Sequence, residues 1–144
     1  MSSSATFVLP TAAGARLNSV KVTVLAAYGI ALWYIAALMV RYGTAAGLYG
    51  RDANLFAYIA TALAFGPLIW AARRTARGLL LPAITIVSLA ALLCDGLAIT
   101  WWPTLYGPDA ASSLPGIAWL SFAVACGLLW ALLLEMPAAA QRGQ

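Results

Sequence analysis

One acid, Asp95, lies deep inside an apolar run of the chain, about 10 Å of helical rise below Trp102. An ionised carboxylate at that depth in a membrane span costs about 2.5 to 3.5 kcal/mol, so it has to face an interior and find a partner. On a helix, Ser88, Ala91, Ala98 and Trp102 share its stripe, three of them small, and such a face admits a close neighbour. The expected partner is Arg41, at the same-side end of an earlier apolar run, with Arg51 the second choice. Arginine reaches several ångströms down from an interface, and a paired carboxylate is far less costly than a bare one. Two chemistries fit. An ion pair would pin two helices together, whereas a titratable Asp95 would couple a proton or cation to transport. The ion pair is the stronger expectation, because a single acid without a second polar partner makes a poor relay.

Other candidates for chemistry are few. Glu135 falls at the end of the last apolar run, level with Arg73, Arg74 and Arg77, and reads as a helix-end anchor, since a partly exposed pair there is worth little. Cys94 and Cys126 lie within apolar runs and form no CxxC motif, so they read as small apolar fillers. Histidine is absent, which removes the commonest metal ligand and the usual proton shuttle near neutral pH. No catalytic residue, metal site or cofactor is expected.

The elements that position Asp95 follow from composition. Of 144 residues, 64% are apolar and 8% charged, against about a quarter charged in a soluble domain. Lipid, rather than water, has to solvate most of the surface. An uncharged run from Val22 to Val40 would reach about 28 Å as a helix, close to the ~30 Å hydrocarbon thickness. It is too long for the apolar core of a signal peptide. Further spans are expected over about 54–72, with Asn54 as N-cap and a kink near Pro67, over 79–102, opening at Pro82 and closing at Pro103, and over 117–134. Residues 41–52 and 104–116 read as loops, and the basic connection after Ala72 is short enough to impose an antiparallel hairpin.

The predicted fold is therefore all-α, an up-and-down bundle of four transmembrane helices in one domain over 19–136. Residues 1–18 read as a mobile tail and 137–144 as a short C-terminal one. Arg16, Lys21, Arg73, Arg74, Arg77 and Arg142 fall on one side and only Arg41 and Arg51 on the other, which predicts both termini in the cytoplasm. The formal charge of +4 is spread between the apolar runs instead of gathered on one face, which argues against nucleic-acid binding. Ala123, Gly127 and Ala131 recur at four-residue spacing, a stripe suited to the third span or to another copy of the chain. Trp33, Tyr34, Trp70, Trp101, Trp102 and Trp130 read as an interfacial belt. No internal repeat relates the two halves.

The stretch LLCDGLAITWWPTLYG, Leu92 to Gly107, followed by GIAWLSFAVACGLLWALLL from Gly116, resembles a group of small four-helix bacterial membrane proteins of unknown function. The distinctive residues are Asp95, Gly96, Trp102, Pro103 and Tyr106. The resemblance implies four helices in a bacterial inner membrane and brings no activity with it. The membrane glutathione-transferase family also has four helices, but where its second helix carries Arg, Asn and Glu at three-residue spacing this chain has Arg51, Asn54 and Ala57. Small multidrug transporters carry their acid in the first helix, which is uncharged here, and quinone-linked thiol oxidases need a CxxC motif.

The expected function is that of a non-enzymatic accessory or partner-binding component of the inner (plasma) membrane, in contact with lipid and with a second copy or another membrane protein. A small oligomeric transporter or channel in which Asp95 titrates is the alternative. A glutathione-transferase-like enzyme comes third.

Overall fold

The computed structural model describes residues 17–49, 55–76 and 79–140. These form four helices, α1 (Ser19–Ala45), α2 (Leu55–Ala76), α3 (Leu80–Trp101) and α4 (Ala110–Ala140), with a 3-10 turn at Pro103–Leu105. The expected N-cap at Asn54, the basic residues Arg16, Arg51, Arg77 and Arg142, and most of both tails lie outside the described residues.

The helices sit where the apolar runs predict, but several ends differ. Asn18 starts α1 by accepting the backbone N–H of Lys21 at 2.9 Å. The helix then continues past Val40 through Arg41, Tyr42 and Gly43, residues read as loop. It stops one turn later at Gly47 (φ +70°), where Leu48 N–H donates to the Gly43 carbonyl at 2.9 Å and Gly47 N–H to the Thr44 carbonyl at 3.1 Å. Those paired bonds satisfy the last carbonyls and need a left-handed residue, which glycine supplies without strain. Gly47→Ala is expected to cost about 1 kcal/mol, measurable as a shift in the detergent-unfolding midpoint. An unshifted midpoint would remove the C-cap from the account.

α2 likewise runs on through Arg73 and Arg74, so the connection to α3 is shorter than expected. α4 continues past 134 to Ala140, into the expected C-terminal tail, and its start is the largest difference, at Ala110, not 117. Asp109 is the reason. Its Oδ1 accepts the Ser112 backbone N–H at 2.9 Å, its Oδ2 accepts the Ser112 hydroxyl at 2.9 Å, and its carbonyl accepts Ser113 Oγ at 2.7 Å. A carboxylate capping a first turn outweighs the turn signals of Pro108 and Pro115.

The Ser112 N–H, then the Ser112 hydroxyl, hold the Asp109 carboxyl below the usual carboxylate range. A depressed folded value means that the cap stabilises above the unfolded pKa of about 3.9 and is lost as pH falls through the lower folded value. Hydrogen exchange at Ala110–Ser113, corrected for intrinsic rates, should therefore accelerate below about pH 4. Asp109→Asn, which keeps an acceptor but does not titrate, should flatten that profile; a persisting pH step would assign it elsewhere.

Packing does not follow chain order. α1 packs most extensively on α3, α2 on α4, and α4 also touches α1 and α3, whereas α1 and α2 share no extended contact. The residue pairings fix direction. Gly29 lies against Val87 and Ala90, and Trp33 meets Asp95, so α1 and α3 run parallel. Val40 near the end of α1 meets Gly116 near the start of α4, and Leu80 at the start of α3 meets Glu135 near the end of α4, so α4 runs antiparallel to both; Tyr58 meets Phe122 while Gly66 meets Trp130, so α2 runs parallel to α4. Directions alternate along the chain, as in an up-and-down arrangement, but like-directed helices form the tightest pairs.

Two small cores result. One joins Ala37, Val40, Ala98, Tyr106 and Leu120; the other, at the opposite end, joins Ile69, Leu80 and Ala131. Ser19–Ala45, Leu80–Trp101 and Ala110–Glu135 are long and apolar enough to cross a membrane, and only 11%, 17% and 28% of the residues in their apolar windows are buried. Most of each surface therefore needs an apolar solvent, and bilayer lipid supplies it.

Candidate functional site

The parallel register of α1 and α3 decides what Asp95 meets. Gly29 lets the α1 backbone come so close to α3 that an added Cβ would lie 2.6 Å from the Val87 carbonyl oxygen. One turn further on, Trp33 is level with Asp95, whereas Arg41 is about 12 Å higher by helical rise.

Asp95 is 7% exposed. Its Oδ1 accepts from Trp33 Nε1 at 2.8 Å and from Tyr106 Oη at 2.5 Å, and Trp33 Nε1 also lies 3.1 Å from Tyr106 Oη. Tyr106 is fully buried and belongs to neither long helix. The turn at Pro103–Leu105, closed by Leu105 N–H to the Trp102 carbonyl and Tyr106 N–H to the Pro103 carbonyl, folds it back under the end of α3. Burial first, and then the hydrogen bond to Asp95, push its hydroxyl well above the ordinary phenol range, so it stays a donor. The cluster ties α1, α3 and the following turn through one oxygen atom.

Of the residues expected at this site, the structure buries Asp95, Ser88 and Ala98 together and leaves Trp102 exposed. Arg41 is exposed and lines a neighbouring cleft of about 330 Å³ with Trp33, Ala98, Trp102, Thr104 and Leu105. Among the described residues, neutral donors meet the carboxylate where a guanidinium was expected. Trp33 had a legible signal, since it lies in the middle of its apolar run and not at its edge. Tyr106 had none, because only the three-dimensional turn returns it to α3.

Trp130 also departs from the interfacial role expected of it. Its Nε1 donates to the Ala62 carbonyl at 2.7 Å, its ring covers Gly66, and Trp119 Nε1 donates to Thr61 Oγ1 at 3.1 Å. Indole N–H groups thus fasten α4 to α2 as Trp33 fastens α1 to α3, which follows because a buried indole needs an acceptor that lipid lacks. The stripe of Ala123, Gly127 and Ala131 is buried, with Gly127 beside Phe65 of α2.

Glu135 Oε1 accepts the Leu80 backbone N–H at 3.0 Å, supplying the first turn of α3 with the cap that Leu79 does not provide. Cys94 and Cys126 are both free thiols. Among the described residues no group of three potential metal ligands comes together. No protein-family model matches the chain, and comparison with curated proteins and with solved structures finds no match.

Proposed function

We propose that the chain is a four-span protein of the bacterial inner membrane, both termini cytoplasmic, that works as a non-enzymatic accessory or partner-binding component. Three helices of spanning length, and an α2 whose sequence is an uncharged run up to Arg73, support four crossings. The excess of basic residues beside the termini and the α2–α3 connection supports the orientation. The observation that carries the reading is the closure of Asp95 by Trp33 and Tyr106. Two donors converging on one buried oxygen make a clamp between helices; a proton relay would need a second group that exchanges protons in the working range, and the Tyr106 phenol, held above its ordinary range, stays a donor.

The alternative of a small oligomeric transporter or channel is separated by reconstituting wild type and Asp95→Asn in vesicles with an imposed pH gradient. The expected result is no specific flux in either protein and lower thermal stability in Asp95→Asn. Flux in wild type that disappears in a folded Asp95→Asn would overturn the accessory reading. Glutathione retained through purification would reopen the enzymatic one.

A further inference from the structure

The cleft beside the clamp combines one cation with apolar walls. Trp33 and Arg41 stand about two turns apart on α1, Ala98 lies on α3 with Trp102 just past its end, and Thr104 and Leu105 close the space from the 3-10 turn. Each acid among the described residues is engaged elsewhere. Asp95 holds Trp33 and Tyr106, Asp109 holds Ser112 in its own cap, and Glu135 holds Leu80 at the other end of the bundle. Arg41 is thus an arginine one turn before the end of α1 with none of these acids as partner, above a space bounded mainly by two indoles, a leucine and an alanine.

A guanidinium pairs best with a planar or tetrahedral oxyanion, which it grips through two parallel N–H bonds. Thr104, on the rim of the cleft, brings a hydroxyl of its own. The apolar walls give a small hydrated anion nothing to exchange for its water, but they suit one that carries hydrocarbon. Trp102, largely exposed at the end of α3, is where an indole flanks a headgroup.

We infer that this cleft binds the phosphate of an anionic phospholipid, with Arg41 on the phosphate and the upper acyl chain against Trp33, Ala98 and Leu105. The inference rests on the four-span reading, which places Arg41 at the interface away from the termini.

The test uses the full chain in nanodiscs of phosphatidylcholine and phosphatidylglycerol, with bromine on the acyl chains of one lipid at a time, read by tryptophan quenching. Brominated phosphatidylglycerol should quench as though it bound about tenfold more tightly than brominated phosphatidylcholine, whose choline cation offsets the phosphate charge that Arg41 meets. Arg41→Gln should abolish that ratio, Arg41→Lys should keep part of it, and Arg51→Gln should leave it intact. Trp102→Phe should reduce the quenching itself. Excess inorganic phosphate should not displace the lipid. An unchanged ratio in Arg41→Gln, an equal loss in Arg51→Gln, or displacement by phosphate would each overturn the assignment. Flotation with carbonate-washed vesicles is scored in parallel. A protein that fails to float defeats the membrane reading, whereas one that floats without headgroup preference defeats only this inference.

Discussion

Replacing Trp33 and Tyr106 together by Phe is expected to destabilise the protein by about 2 to 5 kcal/mol, because a buried carboxyl then loses both of its hydrogen-bond donors and each unsatisfied bond costs about 1 to 3 kcal/mol. The two side chains supply both donors to Asp95 Oδ1, and neither Phe ring can replace them. Either single replacement leaves one donor in place, so each should cost about 1 to 3 kcal/mol. Adding Asp95→Leu to the double variant should then recover the greater part of the loss, because the carboxylate left bare is what makes it large. Equilibrium unfolding in mixed detergent micelles measures all four variants against wild type. If Asp95→Leu deepens the loss instead, the acid has an unseen partner and the clamp is wrongly drawn.

Gly29→Ala should cost about 1 to 3 kcal/mol, the range for overpacking a tight contact. A methyl group there meets the Val87 carbonyl oxygen at 2.6 Å and Ala90 Cβ at 3.0 Å, and a backbone carbonyl cannot rotate aside. α1 and α3 have to separate, which also lengthens the bond from Trp33 to Asp95. Gly96→Ala is the internal control, because a Cβ at Gly96 has nothing within 4 Å. The same substitution there should stabilise by about 0.5 to 1 kcal/mol through helix propensity. Equal effects at the two glycines would mean that backbone approach is not what holds α1 to α3.

How much was legible in the sequence depends on whether the deciding interaction is local. The apolar runs placed the helices, Pro103 ended α3, and the small residues Ala123, Gly127 and Ala131 marked a buried stripe, all through spacing along one element. The depth of Asp95 showed that it needed a partner. Which partner it has depends on the sideways pairing and vertical register of α1 and α3, set by the close approach at Gly29 and by the turn that returns Tyr106, and no spacing within a single helix encodes either. The misplaced ends have a different cause. A single glycine such as Gly43 does not stop a helix, and the Asp109 to Ser112 cap starts α4 in spite of the prolines around it. Both ends were set by capping hydrogen bonds that begin with residues in plain view.

The pairing of α1 with α3, and of α2 with α4, bears on how such a chain would be made. Helices leave the ribosome in order, and when α2 is made α1 still lacks the neighbour it packs on most extensively. Until α3 arrives to bring Val87 to Gly29 and Asp95 to Trp33, the first two helices share no extended interface among the described residues. The nascent first half is thus expected to be exposed to chaperones or to other helices in the membrane for the time it takes to synthesise the second.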